Sequence, residues 1–160
     1  MLPEIQSDFD RLKNQTRLAG NLSSELPSDI QAMVYQLLCV SITGRLEQNL
    51  KTIFVCYADR KSSKNMGRAV SRLCQSFQNP KPDKIISLVE LFDKDFSRTI
   101  LAEWASTEPS EKDIISNMVG DRIAISHQTT KSISVTKSKV DKYLAIYIKI
   151  VTKVHDHFLT

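Results

Sequence analysis

The chain has little of what builds loops and turns, with 4 glycines and 5 prolines among 160 residues. That composition excludes collagen-like, disordered and turn-rich β architectures. It also lacks any apolar run approaching the roughly 18 to 20 residues that a membrane-spanning helix needs. The opening residues MLPEIQSDFDR are acidic where a secretory leader would be basic and then apolar. The expected location is therefore the cytoplasm, with no membrane partner. Close cysteine pairs are missing too: Cys39, Cys56 and Cys74 are odd in number and 17 and 18 residues apart. This is not zinc-ligand spacing, and all three read as reduced core thiols. Trp104, the single tryptophan, is expected to anchor the core.

What remains is an ordinary globular composition, 41% hydrophobic and 25% charged, in a length that suits one domain over residues 1–160. The net charge of +4 is unevenly placed. From Asp121 onward there are seven basic and three acidic residues, whereas the first 120 residues balance. A basic C-terminal quarter suits a polyanion such as RNA, because cations near phosphates release counterions; a solvated basic face is the plain alternative.

Hydrophobic spacing predicts helices throughout. Leu2, Ile5, Phe9 and Leu12 mark the first, followed by a break at AGNLSSELPS. A long pattern from about Asp29 to Arg60 includes Ile30, Met33, Leu37, Leu38, Leu46, Leu50, Ile53 and Phe54, with Pro27 ahead of it and Gly44 as a point of bending. Ser62, Ser63 and Asn65 read as a cap before an amphipathic segment from Met66 to Phe77, ended by Asn79-Pro80-Lys81-Pro82. Two short helices follow around Ile85–Phe92 and Phe96–Trp104. Ser110-x-x-Asp113 approximates a capping box for a helix holding Ile114, Ile115, Met118 and Val119. Residues 127–136 read as a loop in which only SISV alternates like a strand, and the stripe Val140, Leu144, Tyr147, Val151, Val154 and Phe158 marks the last helix. The expected fold is an all-α bundle of five to seven helices.

The segment Asp121-Arg122-Ile123-Ala124-Ile125-Ser126-His127 stands out. At about 100° per residue, Arg122 lies roughly 40° from Met118, inside the apolar arc, and His127 lies about 140° around from Arg122. A buried arginine requires a partner. Asp121, Glu47 or a bound phosphate could serve. Glu47 shares a face with Leu50 and Phe54, so it is expected to orient Arg122 or a histidine, unless it only pairs with Lys51 at i+4. For Arg122 and His127 together, the plain alternative is a buried salt bridge and a helix C-terminal cation. His155 and His157 sit on the last helix without metal-ligand spacing, so no metal site is expected.

DRIAISH, before the final amphipathic helix, resembles the R-x4-6-H signature of HEPN domains. With Gly44-Arg45-Leu46-Glu47 followed by NLKTIFVCYADR, then NMVGDRIAISHQ, the chain looks most like their RiboL-PSP branch over residues 30 to 158. The resemblance implies a HEPN-like helical homodimer whose paired Arg/His motifs line a cleft for metal-independent RNA cleavage, without a cofactor. His127 would activate the ribose 2′-hydroxyl or protonate the leaving oxygen, and its ordinary pKa near 6.5 suits both. Arg122 would hold the scissile phosphate with its planar fork. Attack by the 2′-hydroxyl would leave a 2′,3′-cyclic phosphate and spare DNA.

Asp121, Glu47 and Ser126 are the supporting residues, and Lys131, Lys137 and Lys139 the candidate RNA contacts. The implied role is a toxin or defence effector held in check by an antitoxin protein or a nucleotidyltransferase. Two departures from the family pattern are Ile123, where a polar residue is usual, and Ser126, where alanine is. They keep open a non-cutting dimeric module that binds RNA, nucleotide or a partner protein.

Overall fold

A computed structural model describes residues 1–22, 25–62, 64–106, 108, 110–127 and 134–160, and among them it has seven α-helices and no strand. They are α1 (Pro3–Leu22), α2 (Ser28–Lys61), α3 (Lys64–Gln75), α4 (Pro82–Glu90), α5 (Lys94–Ser106), α6 (Glu111–Ser126) and α7 (Lys137–Leu159). The all-α bundle is the fold, and its helix number is the upper one expected. No helix of the described residues is long and apolar enough to cross a membrane.

The centre is α2, whose 34 residues extend about 51 Å at 1.5 Å per residue. Helices α1, α3, α6 and α7 pack on it. Its buried face carries Leu38, Ile42, Leu46, Leu50, Ile53 and Phe54, and α7 answers with Val140, Ile146, Tyr147, Ile150, Val151 and Val154. One polar pair lies inside: Asn49 Nδ2 donates to Tyr147 Oη at 2.7 Å, while Phe9 meets the Tyr147 ring edge-on at 5.2 Å. Both members are buried, so the bond satisfies groups that water cannot reach.

Several local expectations change. Ile30, Met33 and Leu37 are exposed rather than part of the core stripe, because the N-terminal half of α2 is covered on one side only. Helix α1 continues into the first residues of the expected break and ends at Leu22; Gly20 lies under the Lys137 side chain, whose Cε would stand 2.8 Å from an added Cβ. Ser62 closes α2 instead of opening α3, its hydroxyl donating to the Ala58 carbonyl at 2.6 Å, and Ser63 lies outside the described residues. Asn65 is inside α3. The capping box at Ser110 does not form: the hydroxyl donates to the Trp104 carbonyl at 3.0 Å, and Ser110 caps only through its backbone oxygen. Of SISV, residues 132 and 133 lie outside the described residues, and Ser134 and Val135 belong to no strand.

Of the three thiols, Cys39 and Cys74 are buried and Cys56 is half-buried. Burial, with the Asp121 charge adding to it, pushes Cys39 up to about 12, and burial also raises Cys74. Trp104 is buried, as its role as an anchor requires.

At the far end, the rings of Phe54, Tyr57, Phe92, Phe96 and Phe158 join α2, α5 and α7 with the turn after α4. Asp93 caps α5 by accepting the Phe96 N–H at 2.9 Å, and its other oxygen lies 2.9 Å from His157 Nε2. The His157 ring stacks on Phe96 at 3.6 Å.

Tyr147→Phe leaves the Asn49 amide buried without its partner and is expected to cost about 1 to 3 kcal/mol in urea unfolding. Adding Asn49→Leu should recover part of that loss, and equal midpoints for wild type and Tyr147→Phe would contradict the buried bond. For Asp93, the Phe96 N–H first and His157 second hold the carboxyl below its ordinary value. A depressed pKa gives stability that is present above about 3.9 and is lost as pH falls through the lowered value. Unfolding midpoints of wild type and Asp93→Asn should therefore differ near neutrality and converge below the ordinary carboxylate range; a constant gap would refute the linkage.

Candidate functional site

Helix α6 carries Asp121, Arg122 and Ser126, and His127 is its C-terminal cap residue, donating its N–H to the Ile123 carbonyl at 3.1 Å. Ile115, Met118 and Val119 are buried along the same helix. Arg122 leaves it beside them, its side chain only 26% exposed. Its Nη1 donates to Asn79 Oδ1 at 2.6 Å and lies 3.6 Å from Glu47 Oε2.

Glu47 is the hub of this cluster. Its Oε2 accepts the Asn79 backbone N–H at 2.9 Å, and its Oε1 accepts from Lys51 Nζ at 2.9 Å. Both readings of Glu47 thus hold together: it pairs with Lys51 one turn on, and it faces Arg122. Asn79 sits between α3 and α4 with φ 52°, in the left-handed region that asparagine tolerates better than most residues. From there its backbone N–H reaches Glu47 and its amide oxygen reaches Arg122. Three chain segments therefore meet at one carboxylate flanked by two cations. Such charge-assisted contacts fix the guanidinium in orientation as well as in place.

Asp121 does not belong to this cluster. Neighbouring helical residues point about 100° apart, and Asp121 turns to α7, where its Oδ2 accepts from Tyr143 Oη at 2.7 Å and from Lys139 Nζ at 3.1 Å. Of the protein partners considered for Arg122, Glu47 is the one found. Burial and the Asp121 contact raise the Tyr143 hydroxyl well above the ordinary tyrosine range. Ser126 and His127 are exposed, and the His127 ring makes no side-chain hydrogen bond among the described residues. Among the described residues no hydrogen bond or ion pair joins Arg122 to His127 within one chain.

The candidate RNA contacts look different in space from their look in sequence. Lys137 pairs with Asp141 at 2.9 Å and Lys139 with Asp121, while Lys131 lies outside the described residues. Lys149 pairs with Glu111 and Lys153 with Glu103. Much of the C-terminal positive charge is thus matched by carboxylates of α5, α6 and α7. Among the described residues no group of three or more His, Cys, Asp or Glu could hold a metal ion.

Asn79 is the site residue that sequence reading missed. The Asn-Pro turn announced the end of α3, and asparagine in a turn signals a left-handed position. Nothing in the spacing pointed to an arginine 43 residues later. The backbone and side-chain contributions can be separated: Asn79→Gly and Asn79→Ala both lose the Arg122 contact, but only alanine meets the left-handed penalty. Alanine is expected to be the less stable by about 1 kcal/mol in urea unfolding, and equal stability would contradict the backbone assignment.

Compared with known proteins, the chain matches no family model, no curated protein and no solved structure.

Proposed function

We propose that the chain is a metal-independent endoribonuclease of HEPN type, with Arg122 and His127 as its catalytic pair. The observation that carries this reading is the half-buried Arg122 guanidinium, fixed by Glu47 and Asn79 on the helix that ends at His127. A cation oriented before substrate arrives can stabilise charge developing on a phosphate without reorganising at the moment of reaction.

In the proposed step, the ribose 2′-oxygen attacks phosphorus and gives up its proton to a base. The 5′-oxygen leaves with a proton, and a 2′,3′-cyclic phosphate remains. His127 serves as base or acid, being exposed and reachable by substrate. Arg122 and His127 leave the helix about 140° apart, so the proposal pairs Arg122 of one chain with His127 of a second copy across a two-fold axis. Such an activity in the cytoplasm requires restraint, and an antitoxin-like protein or a nucleotidyltransferase is the proposed class of inhibitor.

One observation favours a second reading, a helical module that binds RNA or a protein without cutting. Arg122 already has two protein partners, and Ile123 beside it offers no polar group.

Incubation with total RNA in EDTA separates the two. Wild type is expected to cut and leave cyclic phosphate ends, with His127→Ala and Arg122→Ala slower by about 10²-fold or more. Equal cutting by the variants would remove the proposed site. Salt-sensitive RNA binding without turnover would establish the second reading.

A further inference from the structure

A second feature suited to phosphate lies on the solvent side of α2. A cleft of about 430 Å³ opens between α1 and α2, lined by Arg11, Gln15, Ser41, Gly44, Arg45 and Gln48 among others. Its two guanidiniums share one carboxylate: Arg11 Nη2 is 2.7 Å and Arg45 Nη1 3.3 Å from Asp8 Oδ1. The Asp8 side chain is 12% exposed, while those of Arg11 and Arg45 are 47% and 40% exposed. No carboxylate is among the residues that line the cleft, and Asp8 meets the two arginines from behind it. One positive charge is therefore left over. Each arginine is pinned at one end by a largely buried anion and keeps further N–H groups for a ligand. Gln15, Ser41 and Gln48 add neutral donors. Gly44 leaves the wall open, since nothing lies within 4 Å of where its Cβ would be.

We infer that this cleft binds a phosphate group, and that its source is a backbone phosphate of an RNA strand whose other contact is Arg122. The inference rests on the RNA reading above. Continuity along α2 supports the source: Gln48 also lines the groove between α2 and α3, where Lys51 stands, and Lys51 pairs with Glu47 beside Arg122. Arg45, Gln48 and Lys51 thus lead from the cleft to the Arg122 cluster within two turns of one helix. Two arginines held on a common carboxylate match the geometry of a phosphate oxyanion better than a mobile lysine does.

The test measures binding rather than cutting. A fluorescein-labelled 12-nucleotide single-stranded RNA is titrated with the full chain carrying His127→Ala, so that the probe stays intact, at 50 to 200 mM KCl. Arg11→Gln with Arg45→Gln is expected to weaken binding about fivefold at 0.1 M salt and to flatten the salt slope by about 0.7, the loss of one phosphate contact. Those variants disturb the Asp8 pairs, so Gly44→Glu serves as the second variant. It places a carboxylate in the cleft, meets nothing within 4 Å at its Cβ, and replaces glycine by a better helix former. It should weaken RNA binding at least as much, with an undiminished melting temperature.

Equal RNA affinity in all variants would overturn the inference and leave the nuclease reading standing. Arginine-dependent RNA binding by a wild type that never cuts would uphold the inference and end the nuclease reading. Binding of ATP or inorganic phosphate that depends on Arg11 and Arg45, with no RNA binding, would overturn the RNA source. Failure to bind any of the three would overturn the inference and the RNA reading together.

Discussion

Because α2 runs for 34 residues, its buried face needs cover along a length that no other helix of the fold matches. That constraint arranges the molecule. Helices α1, α3, α6 and α7 share the task, and α7, with 23 residues, covers more of α2 than any other described helix does. Burial of this apolar surface is the main favourable term in folding, at about 25 cal/mol per Å². The aromatic rings around Phe158 and the Asn49–Tyr147 bond then set the register of α7 on α2, since neither contact survives a one-residue slip. Where cover runs out, apolar residues stay in water, as Ile30, Met33 and Leu37 do.

Electrostatics follow from the same packing. Along the chain the excess of positive over negative charge lies after Asp121, but folding places Lys149 and Lys153 beside Glu111 and Glu103, and Lys139 beside Asp121. Exposed pairs of this kind contribute little to stability, typically below about 1 kcal/mol. Their consequence is to redistribute the field. The linear excess at the C-terminus does not become an equally basic face, and unbalanced positive charge instead remains near α2, at Arg11 with Arg45 around one Asp8 and at Lys51 with Arg122 around one Glu47.

The candidate site was half legible. Arg122 was marked because an arginine within an apolar arc contradicts the usual solvation of its charge, and Glu47 because a carboxylate shared a face with Leu50 and Phe54. Both inferences depend on helical period alone, which is local. Asn79 was not marked, because its partners come from α2 and α6 and its backbone conformation follows from how α3 and α4 are joined. The choice between Asp121 and Glu47 as the protein partner of Arg122 stayed open for the same reason: a helical wheel says which way a side chain leaves the helix and not which neighbour lies there.

By itself the sequence determined where the helices lie, and the long α2 and α7 among them, because a 3.6-residue apolar period encodes amphipathic helices wherever they dock. Cap details needed more: the hydroxyls of Ser62 and Ser110 turn back to backbone carbonyls four and six residues earlier, at Ala58 and Trp104, a local competition that the apolar period does not register. Tertiary structure alone decided which charges distant in the chain meet, which apolar stripe stays exposed, and which of the candidate partners holds Arg122. The reason is physical: pairing energy falls with distance between side chains, and that distance is set by how the helices pack, not by their separation along the chain.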